Sequence, residues 1–448
     1  MIVSVGRMMR KGGGGGLSWP AGMKEHIKAW YDPKKQGMTN YDVIEAYVED
    51  FTKWAYRNSR GIAKITNNTI VITNVVETNN IVEDDEKPYS DLTIRVTGVT
   101  ENKYLIVRQG RGRPETHIKK DCVYTFKGNN LYFGFGVSVI GECNITITQL
   151  PTSILKDFSG NDNHAYLYGG KGKLNSGMGV YKFDFLSDLL INSAYLPYTE
   201  RQYDSICSLA GHPNGWLFQY KSLTDIPTFK IKVKGIVNDK FHYRWYDENG
   251  NRGADFVIDK DGIYEFPMSY SVETNTGVGI VCNNICQDNV CFTQIPDYPD
   301  QLCYDGKMYA VAYDMPILTD YTVMAERTWF ENRNIFLAKG NITTEAKYAF
   351  IFERFKPDGV MAVQSFGAWN DVVSTTDSCI SYLTKNKYNG IDIRSGIGAD
   401  DDMLSIGGAL NKGNIELTSV CCHGAIIIAD RSFTEDEITW LKDNLFRK

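Results

Sequence analysis

Residues 120–126 read Lys-Asp-Cys-Val-Tyr-Thr-Phe, and residues 260–266 read Lys-Asp-Gly-Ile-Tyr-Glu-Phe. The similarity extends to two further pairs of segments in the same order, 94–98 with 231–235 and 144–151 with 289–296. Three matches at similar spacing predict a duplicated module. A period this long, with only two copies, indicates two related domains and not a solenoid.

Both copies consist of short runs of β-branched and aromatic residues separated by polar turns. In the first copy, 92–96 and 145–148 are such runs, and in the second the turn 247–250 separates two of them as in a hairpin. This pattern predicts that each copy is a small antiparallel β-sandwich. Tyr124 should then occupy the strand position of Tyr264, and Ile147 that of Phe292.

Composition limits the classes of function. The 448 residues are enough for two to four domains, and 43% are hydrophobic. A formal net charge of -6 argues against a nucleic-acid partner. The sequence contains no stretch of about 18 apolar residues, so no membrane span is predicted. Residues 1–11 lack the apolar run of a secretory signal, so we expect synthesis in the cytoplasm without signal-directed export.

The ten cysteines do not show the spacing of a metal site or a disulfide framework. Cys282, Cys286 and Cys291 cluster, and Cys421 adjoins Cys422, but neither group has histidines at zinc spacing. We therefore expect buried, reduced thiols, with no metal and no other cofactor.

Two helices are predicted. Thr39 and Asp42 could form a capping box for an amphipathic helix over about 40–57, near the N-terminus. At the other end, Thr434 and Glu437 form a capping box, and Phe433 a hydrophobic staple, before the apolar residues of a closing helix.

Residues 155–165, Leu-Lys-Asp-Phe-Ser-Gly-Asn-Asp-Asn-His-Ala, have the composition of a tight corner between strands. Asp157 and Ser159 can accept backbone N–H groups, while Gly and Asn tolerate positive φ. The segment resembles the Asp-x-Ser-Gly-Asn-x-Asn-His-Ala signature of LamG-type, concanavalin A-like jelly-roll domains. His164 is therefore expected to be structural and not a catalytic base.

Three other segments resemble the same family in the expected order: 29–32 its opening strand, 304–329 its Phe-Asp-Gly and strand stretch, and 425–438 its closing strand and helix. Met308 stands where that family's second acid would be, which removes one possible cation contact. The resemblance implies an all-β fold: a discontinuous concanavalin A-like jelly-roll sandwich with two inserted, duplicated small β-sandwich domains and a short N-terminal helix. The predicted boundaries are 1–23 for a flexible docking segment, 24–58, 152–224 and 298–448 for the jelly roll, and 59–151 and 225–297 for the inserted copies.

Known catalytic motifs are missing from the sequence. Related jelly-roll glycanases carry Glu-x-Asp-x-x-Glu on one strand, and this triplet does not occur here. The serine-hydrolase, zinc-protease and phosphate-loop motifs are also missing. We predict a non-enzymatic protein without catalytic or metal residues, and the ligand-facing residues stay unassigned. Trp216, 369–371 and 388–389 have the aromatic and amide character of sugar contacts, but packing roles are favoured for each.

The resemblance implies a bacteriophage virion protein, a fibre or appendage subunit attached to a host surface glycan or protein through its jelly roll. Five glycines at 12–16 follow the basic residues Arg7, Arg10 and Lys11, as in a hinged segment docking on a capsid or tail protein. By analogy the oligomer would be a homotrimer. The alternatives are a polysaccharide depolymerase or lyase and a bacterial surface lectin.

Overall fold

The structure is a computed structural model. It describes residues 18–446 except 39–44, 55, 57–60, 76–81, 85–90, 110–114, 128–132, 139–140, 170–188, 191–192, 202–204, 221–227, 271–276, 296–297, 299, 332–333, 343–347, 357, 374–378 and 399. The predicted docking segment 1–23 lies outside the described residues as far as residue 17, as does the predicted capping pair Thr39 and Asp42. The prediction is wrong for the rest of that segment, because Met23 is fully buried and Trp19 packs against Trp30 and Trp440.

The chain is all-β, as predicted. The first strands in chain order are β1 (Ile27–Tyr31), β2 (Ile62–Ile65), β3 (Thr69–Val75), β4 (Val82–Asp84), β5 (Leu92–Thr97), β6 (Leu105–Gln109), β7 (Thr116–Ile118), β8 (Cys122–Phe126), β9 (Phe133–Val137), β10 (Gly141–Gln149), β11 (Ile154–Leu155) and β12 (Ala165–Tyr168). They are followed by β13 (Leu189–Leu190), β14 (Thr199–Arg201), β15 (Ser205–Ser208), β16 (Gly215–Tyr220), β17 (Phe229–Lys234), β18 (Phe241–Arg244), β19 (Phe256–Ile258), β20 (Gly262–Phe266), β21 (Val278–Cys282) and β22 (Val290–Ile295).

The remaining strands are β23 (Leu302–Asp305), β24 (Tyr309–Ala312), β25 (Thr322–Trp329), β26 (Asn334–Lys339), β27 (Asn341–Ile342), β28 (Phe350–Phe355), β29 (Met361–Ser365), β30 (Ala368–Val372), β31 (Cys379–Thr384), β32 (Lys387–Tyr388), β33 (Ile391–Asp392), β34 (Leu404–Ile406), β35 (Ala409–Asn411), β36 (Asn414–Glu416) and β37 (Val420–Ala429). Two α-helices, α1 (Pro33–Gln36) and α2 (Glu435–Asn444), and 3-10 turns at Lys24–His26, Phe51–Lys53 and Ser193–Tyr198 complete the described elements.

Two large sheets form what we call the main sandwich. One sheet has the order β1-β37-β25-β31-β32-β33, with β23 also paired to β37. The other has the order β11-β12-β24-β34-β26-β28-β29-β30. Every residue of β25 and β37 is buried, as expected for central strands covered on both faces. Strands that are far apart in the sequence therefore share one core, in which Tyr31, Leu167 and Ile428 lie together.

The corner at 157–164 attaches β1 to the main sandwich. The Asp157 carboxylate accepts hydrogen bonds from the backbone N–H of Trp30 (2.9 Å), Ser159 (2.8 Å) and Asn163 (3.1 Å). Gly160 (φ 96°) and Asp162 (φ 58°) supply the left-handed backbone. His164 Nδ1 accepts from the Asp157 N–H at 3.1 Å. The motif is structural, as the sequence predicts, although Asp and not Asn takes the second positive φ.

The two inserted copies have the same strand order. One sheet of the first copy is β2-β3-β10-β5-β8, and its counterpart is β14-β15-β22-β17-β20. The second sheets correspond as β4-β9-β6-β7 and β16-β21-β18-β19, with β13 added beside β16. Ile94 pairs with Tyr124 as Ile231 pairs with Tyr264. The register thus agrees with the predicted equivalence of the two tyrosines.

The inserted copies extend beyond the predicted boundaries. Strands β13, β14, β15 and β16 pair within the second copy, so its sheets include residues from 189 onward and not only from 225. Phe51 and Trp54, placed by prediction in the jelly roll, pack in the core of the first copy. Both differences arise because short strands and turns join whichever sheet offers hydrogen-bond partners, and the repeat motifs mark only part of each copy.

The helix predicted over 40–57 is wrong for the described part of that range. Residues 45–50 are not helical, and only Phe51–Lys53 form a 3-10 turn. The Gln149 side chain bonds both the N–H and the C=O of Glu49, at 2.9 and 2.8 Å. These contacts satisfy backbone groups that a helix would otherwise pair internally, so tertiary contacts override the periodicity.

Helix α2 begins as predicted. The Thr434 side chain accepts from the Glu437 N–H, and the Glu437 side chain accepts from the Thr434 N–H, forming a complete capping box. Ile438 and Leu441 pack with Trp30 and Ile427 on the outer face of β1 and β37. In the described residues, no helix is long and apolar enough to cross a membrane.

One disulfide contradicts the expectation that every thiol is reduced. Cys207 on β15 and Cys291 on β22 are bonded, and they face each other directly in the strand register. The other eight cysteines are free. The two cysteines lie 84 positions apart in the sequence, which explains why spacing did not reveal the pair.

Candidate binding site

An open cavity of about 480 Å³ lies in the second inserted copy, at one end of its two sheets. The residues just after β18, at the start of β19 and at the end of β20 line it, together with the residue before β17: Thr228, Trp245, Ala254, Asp255, Phe256, Glu265, Phe266 and Pro267. We call this cavity the second-copy pocket. Strands β19 and β20 are the edges of their sheets, which leaves this end of the copy open to solvent.

A tight hairpin places Trp245 at the pocket. The Asp247 carboxylate accepts from the backbone N–H of Asn249 (2.9 Å) and Asn251 (2.8 Å), and the Asn251 bond is the main reason that the pKa of Asp247 is lowered. Such an Asp turn closes the chain without external partners. The predicted turn at 247–250 is confirmed.

The indole ring of Trp245 has a fixed orientation. Its Nε1–H donates to the Ala254 carbonyl at 3.0 Å, and the Gly253 N–H donates to the Trp245 carbonyl at 3.0 Å. A Cβ atom on Gly253 would lie 2.3 Å from the ring. Glycine is therefore required for the ring to lie flat over the backbone.

Further aromatic rings support the floor of the pocket. Phe256 packs edge-on against Phe266, with ring centroids 5.2 Å apart, and Phe266 packs against Tyr243 at 4.5 Å. Phe266 and Tyr243 are fully buried. The accessible rings of Trp245 and Phe256 thus rest on a rigid core, which keeps the entropic cost of binding low.

Two carboxylates flank the rings. Asp255 pairs with Arg252 at 2.5 Å, and Glu265 pairs with Lys230 at 3.4 Å. Glu265 and both cations are about half exposed. Exposed ion pairs contribute little to stability, so the oxygens can exchange these partners for a ligand's hydroxyl groups at small cost.

Aromatic faces next to hydrogen-bond acceptors form a suitable site for a saccharide. The C–H face of a sugar ring can pack on Trp245 or Phe256, while its hydroxyls donate to Asp255 or Glu265. No step in this arrangement requires a metal. The described part of the chain contains no group of three or more His, Cys, Asp or Glu side chains placed to hold a metal ion.

The aromatic and amide residues named from the sequence are mostly engaged in packing. Tyr388 is fully buried and donates to Glu353 at 2.8 Å. The Asn389 side chain accepts from the Tyr382 N–H, and the Asn370 side chain bonds both backbone groups of Arg394. These three are structural.

The two tryptophans of that set and Asp371 lie elsewhere. Trp369 is 37% exposed beneath the guanidinium of Arg354, and Asp371 pairs with Lys356. Trp216 stacks under Arg244 in the second copy. None of them lines the second-copy pocket.

The main sandwich contains a buried ion pair. Glu353 on β28 accepts from Arg327 on β25, from Trp329 Nε1 at 3.1 Å and from Tyr388 Oη at 2.8 Å. Arg327 and Glu353 have no exposed side-chain surface. Since protein donors surround the carboxylate, we interpret this cluster as a tie between the two sheets.

A second buried pair fixes the loop before β34. Lys339 Nζ bonds both Asp400 oxygens, at 3.1 and 3.0 Å. Burial lowers the pKa of Lys339 and raises that of Asp400. Burial is the main reason that the pKa of Asp401 is raised to about 6, and the neighbouring Asp402 carboxylate, which accepts from protonated Asp401, adds to the shift. Lys339 and Asp400 have no exposed side-chain surface and neutralise each other, so we interpret this pair as structural.

Sequence reasoning missed Trp245 and Phe256. They stood inside a segment interpreted only as a hairpin. A usable signal exists in the duplication, because an alignment of the copies places Gln109 and Thr116 at the corresponding positions. A large aromatic present in only one copy is not needed by the shared core.

Comparisons with known proteins leave the chain without a family. No family model matches it, and no curated protein matches it. Among solved structures, Trypanosoma rangeli sialidase in complex with sialic acid is 9% identical, with 88% of this chain and 86% of that chain covered and a TM-score of 0.25. The same sialidase as a covalent intermediate with 2,3-difluorosialic acid is 8% identical, with 91% and 90% covered and a TM-score of 0.25. Similarity at this level carries no argument about fold or function.

Proposed function

We propose that this protein is a non-enzymatic attachment protein that binds a surface saccharide, and that it serves as a fibre or appendage subunit of a bacteriophage virion. The observation that carries the binding role is the second-copy pocket, where the half-buried rings of Trp245 and Phe256 line the same cavity as Asp255 and Glu265. The virion assignment is supported by the LamG-type resemblance and by the basic peptide and glycine run within residues 1–16.

The LamG-type resemblance implies a saccharide contact on the jelly roll. The pocket instead favours the second inserted copy, because Trp245 and Phe256 line one cavity together with two carboxylates. In the main sandwich, Tyr388 and Asn370 are engaged in packing, and Trp369 lies beneath Arg354. In this proposal the main sandwich is a rigid frame that presents the inserted copies.

Binding to host cells tests the proposal. The purified chain should label host cells and lose at least about tenfold in affinity when Trp245 is changed to Ala, since truncating an aromatic anchor typically costs more than about 1.4 kcal/mol. Val237→Thr is the matched control, because Val237 is 79% exposed in the same copy but does not line the pocket. Equal binding by Trp245→Ala would remove the pocket from the proposal.

The same preparation separates the alternatives. A depolymerase or lyase would shorten host polysaccharide during incubation, which size-exclusion chromatography detects. A binder leaves the chain length unchanged. A bacterial surface lectin would be found on the producing cell and not in a phage particle.

Attachment to the particle is tested by deleting residues 1–16. The truncated protein should keep its melting temperature and lose incorporation into virions, since five glycines and a short basic peptide contribute little apolar surface. Normal incorporation would exclude the docking role. The proposed homotrimer is checked by analytical ultracentrifugation.

A further inference from the structure

The two inserted copies have different residues at the position of the pocket but equivalent apolar residues in the core beneath it. The strand register makes Leu92 equivalent to Phe229, and Phe126 equivalent to Phe266. It likewise makes Val107 equivalent to Tyr243. All of these positions are buried and apolar in both copies. The two copies therefore share the same core arrangement.

The lining residues follow a different pattern. Thr116 corresponds to Phe256, and Thr125 corresponds to Glu265. Trp245, one residue beyond β18, corresponds to Gln109. The first copy therefore lacks both accessible rings and one of the two flanking carboxylates at these positions.

An ion pair occupies the corresponding rim in the first copy. Lys127 and Asp91 correspond to Pro267 and Thr228, and their charged groups lie 2.7 Å apart. The pair spans the two strand ends that border the pocket in the second copy. A hydrated charge pair there offers no apolar face to a sugar ring.

The first copy instead contacts the main sandwich. The Val123 N–H donates to Asp314 at 2.7 Å, and the Arg95 guanidinium lies 4.7 Å from the ring of Tyr313. Asp314 and Tyr313 follow β24 of the main sandwich. Part of the surface of the first copy is thus occupied by its contact with the main sandwich.

We infer that the duplicated domains have divided their roles. The second copy holds the saccharide site, and the first copy contacts the main sandwich and has no saccharide site. The inference rests on the proposed function and narrows it. It also assigns the ligand as an uncharged saccharide, because the residues that line the pocket offer two carboxylate acceptors for hydroxyl groups and no cation for the carboxylate of an acidic sugar.

Matched substitutions in the two copies test the division. Phe256→Ala and Glu265→Ala should each weaken binding of a neutral cell-wall or capsular oligosaccharide by at least about fivefold to tenfold. Thr116→Ala and Thr125→Ala, at the equivalent positions of the first copy, should change binding less than about twofold. Because Glu265 is an exposed strand residue, its variant serves if Phe256→Ala does not fold.

The probes are neutral glucan and N-acetylated oligosaccharides and the uronic-acid oligosaccharide of equal length, measured by isothermal titration calorimetry with the full chain. Preference for the uronic acid through Phe256 would overturn the ligand class. Equal losses from Thr116→Ala and Phe256→Ala would overturn the division of roles. Glycan binding unaffected by either set would overturn the inference while leaving attachment in place, and absence of glycan binding by the unmodified chain would reject both.

Discussion

His423 should make the main sandwich sensitive to mild acid. Its Nδ1 lies 2.7 Å from the Gly424 carbonyl, which can only accept, so Nδ1 carries the proton. Nε2 then accepts from the Tyr304 hydroxyl at 3.1 Å. The ring is fully buried and stacks on Tyr304, and its cross-strand neighbour Arg327 already carries a charge, which Glu353 neutralises.

Burial lowers the pKa of His423 from 6.5 to about 4. The unfolded chain therefore binds this proton more readily than the folded chain, so the contribution is fully present above pH 6.5 and is lost as pH falls toward 4. One pKa unit corresponds to about 1.4 kcal/mol, so the loss between pH 7 and pH 4 is about 3 kcal/mol.

Comparison with His423→Gln isolates this effect. Glutamine can donate to Gly424 and accept from Tyr304 but does not titrate. Other groups, among them Asp401, whose raised pKa acts in the opposite direction, contribute equally to both proteins. Urea denaturation from pH 7 to pH 4, with hydrogen exchange of β37 as the local probe, should show a free energy of unfolding that falls about 3 kcal/mol further in the unmodified protein. Parallel pH profiles would refute the buried neutral histidine.

Three further substitutions have defined outcomes. Arg327→Met should destabilise the main sandwich by roughly 3–5 kcal/mol because it leaves the Glu353 carboxylate buried without its cation. Adding Glu353→Met should recover part of this loss in the same urea assay, and a double variant less stable than the single one would contradict the reasoning. Thr434→Ala should cost about 1 kcal/mol through loss of the α2 cap, seen as faster hydrogen exchange in the first turn of α2, and unchanged exchange would count against the cap. Replacing Cys207 and Cys291 together with Ala should lower the free energy of unfolding of the second copy by roughly 2–4 kcal/mol. If reductant leaves the melting temperature of the unmodified protein unchanged, the disulfide does not form.

Features that the sequence determined by itself depend on residues close together or on repetition. The capping box needs Thr434 and Glu437, three positions apart, and both bonds close within one turn of helix. The Asp157 corner is similar, since its carboxylate binds the N–H groups of Ser159 and Asn163. The duplication could be predicted because two copies under the same packing constraints retain the same strand pattern, here Ile94 beside Tyr124 and Ile231 beside Tyr264.

Only the tertiary structure decided the features that depend on distant partners. Gln149, about a hundred positions away, holds Glu49 in a non-helical conformation that the local periodicity did not predict. Cys207 and Cys291 become neighbours only when β15 pairs with β22. The second-copy pocket likewise forms where the ends of β17, β18, β19 and β20 meet, and Trp245 gains its orientation from Gly253 and Ala254 within it. The sequence pattern determines how a turn closes more strongly than it determines which strands pair. Strand pairing depends on which partner the completed fold brings within about 3 Å.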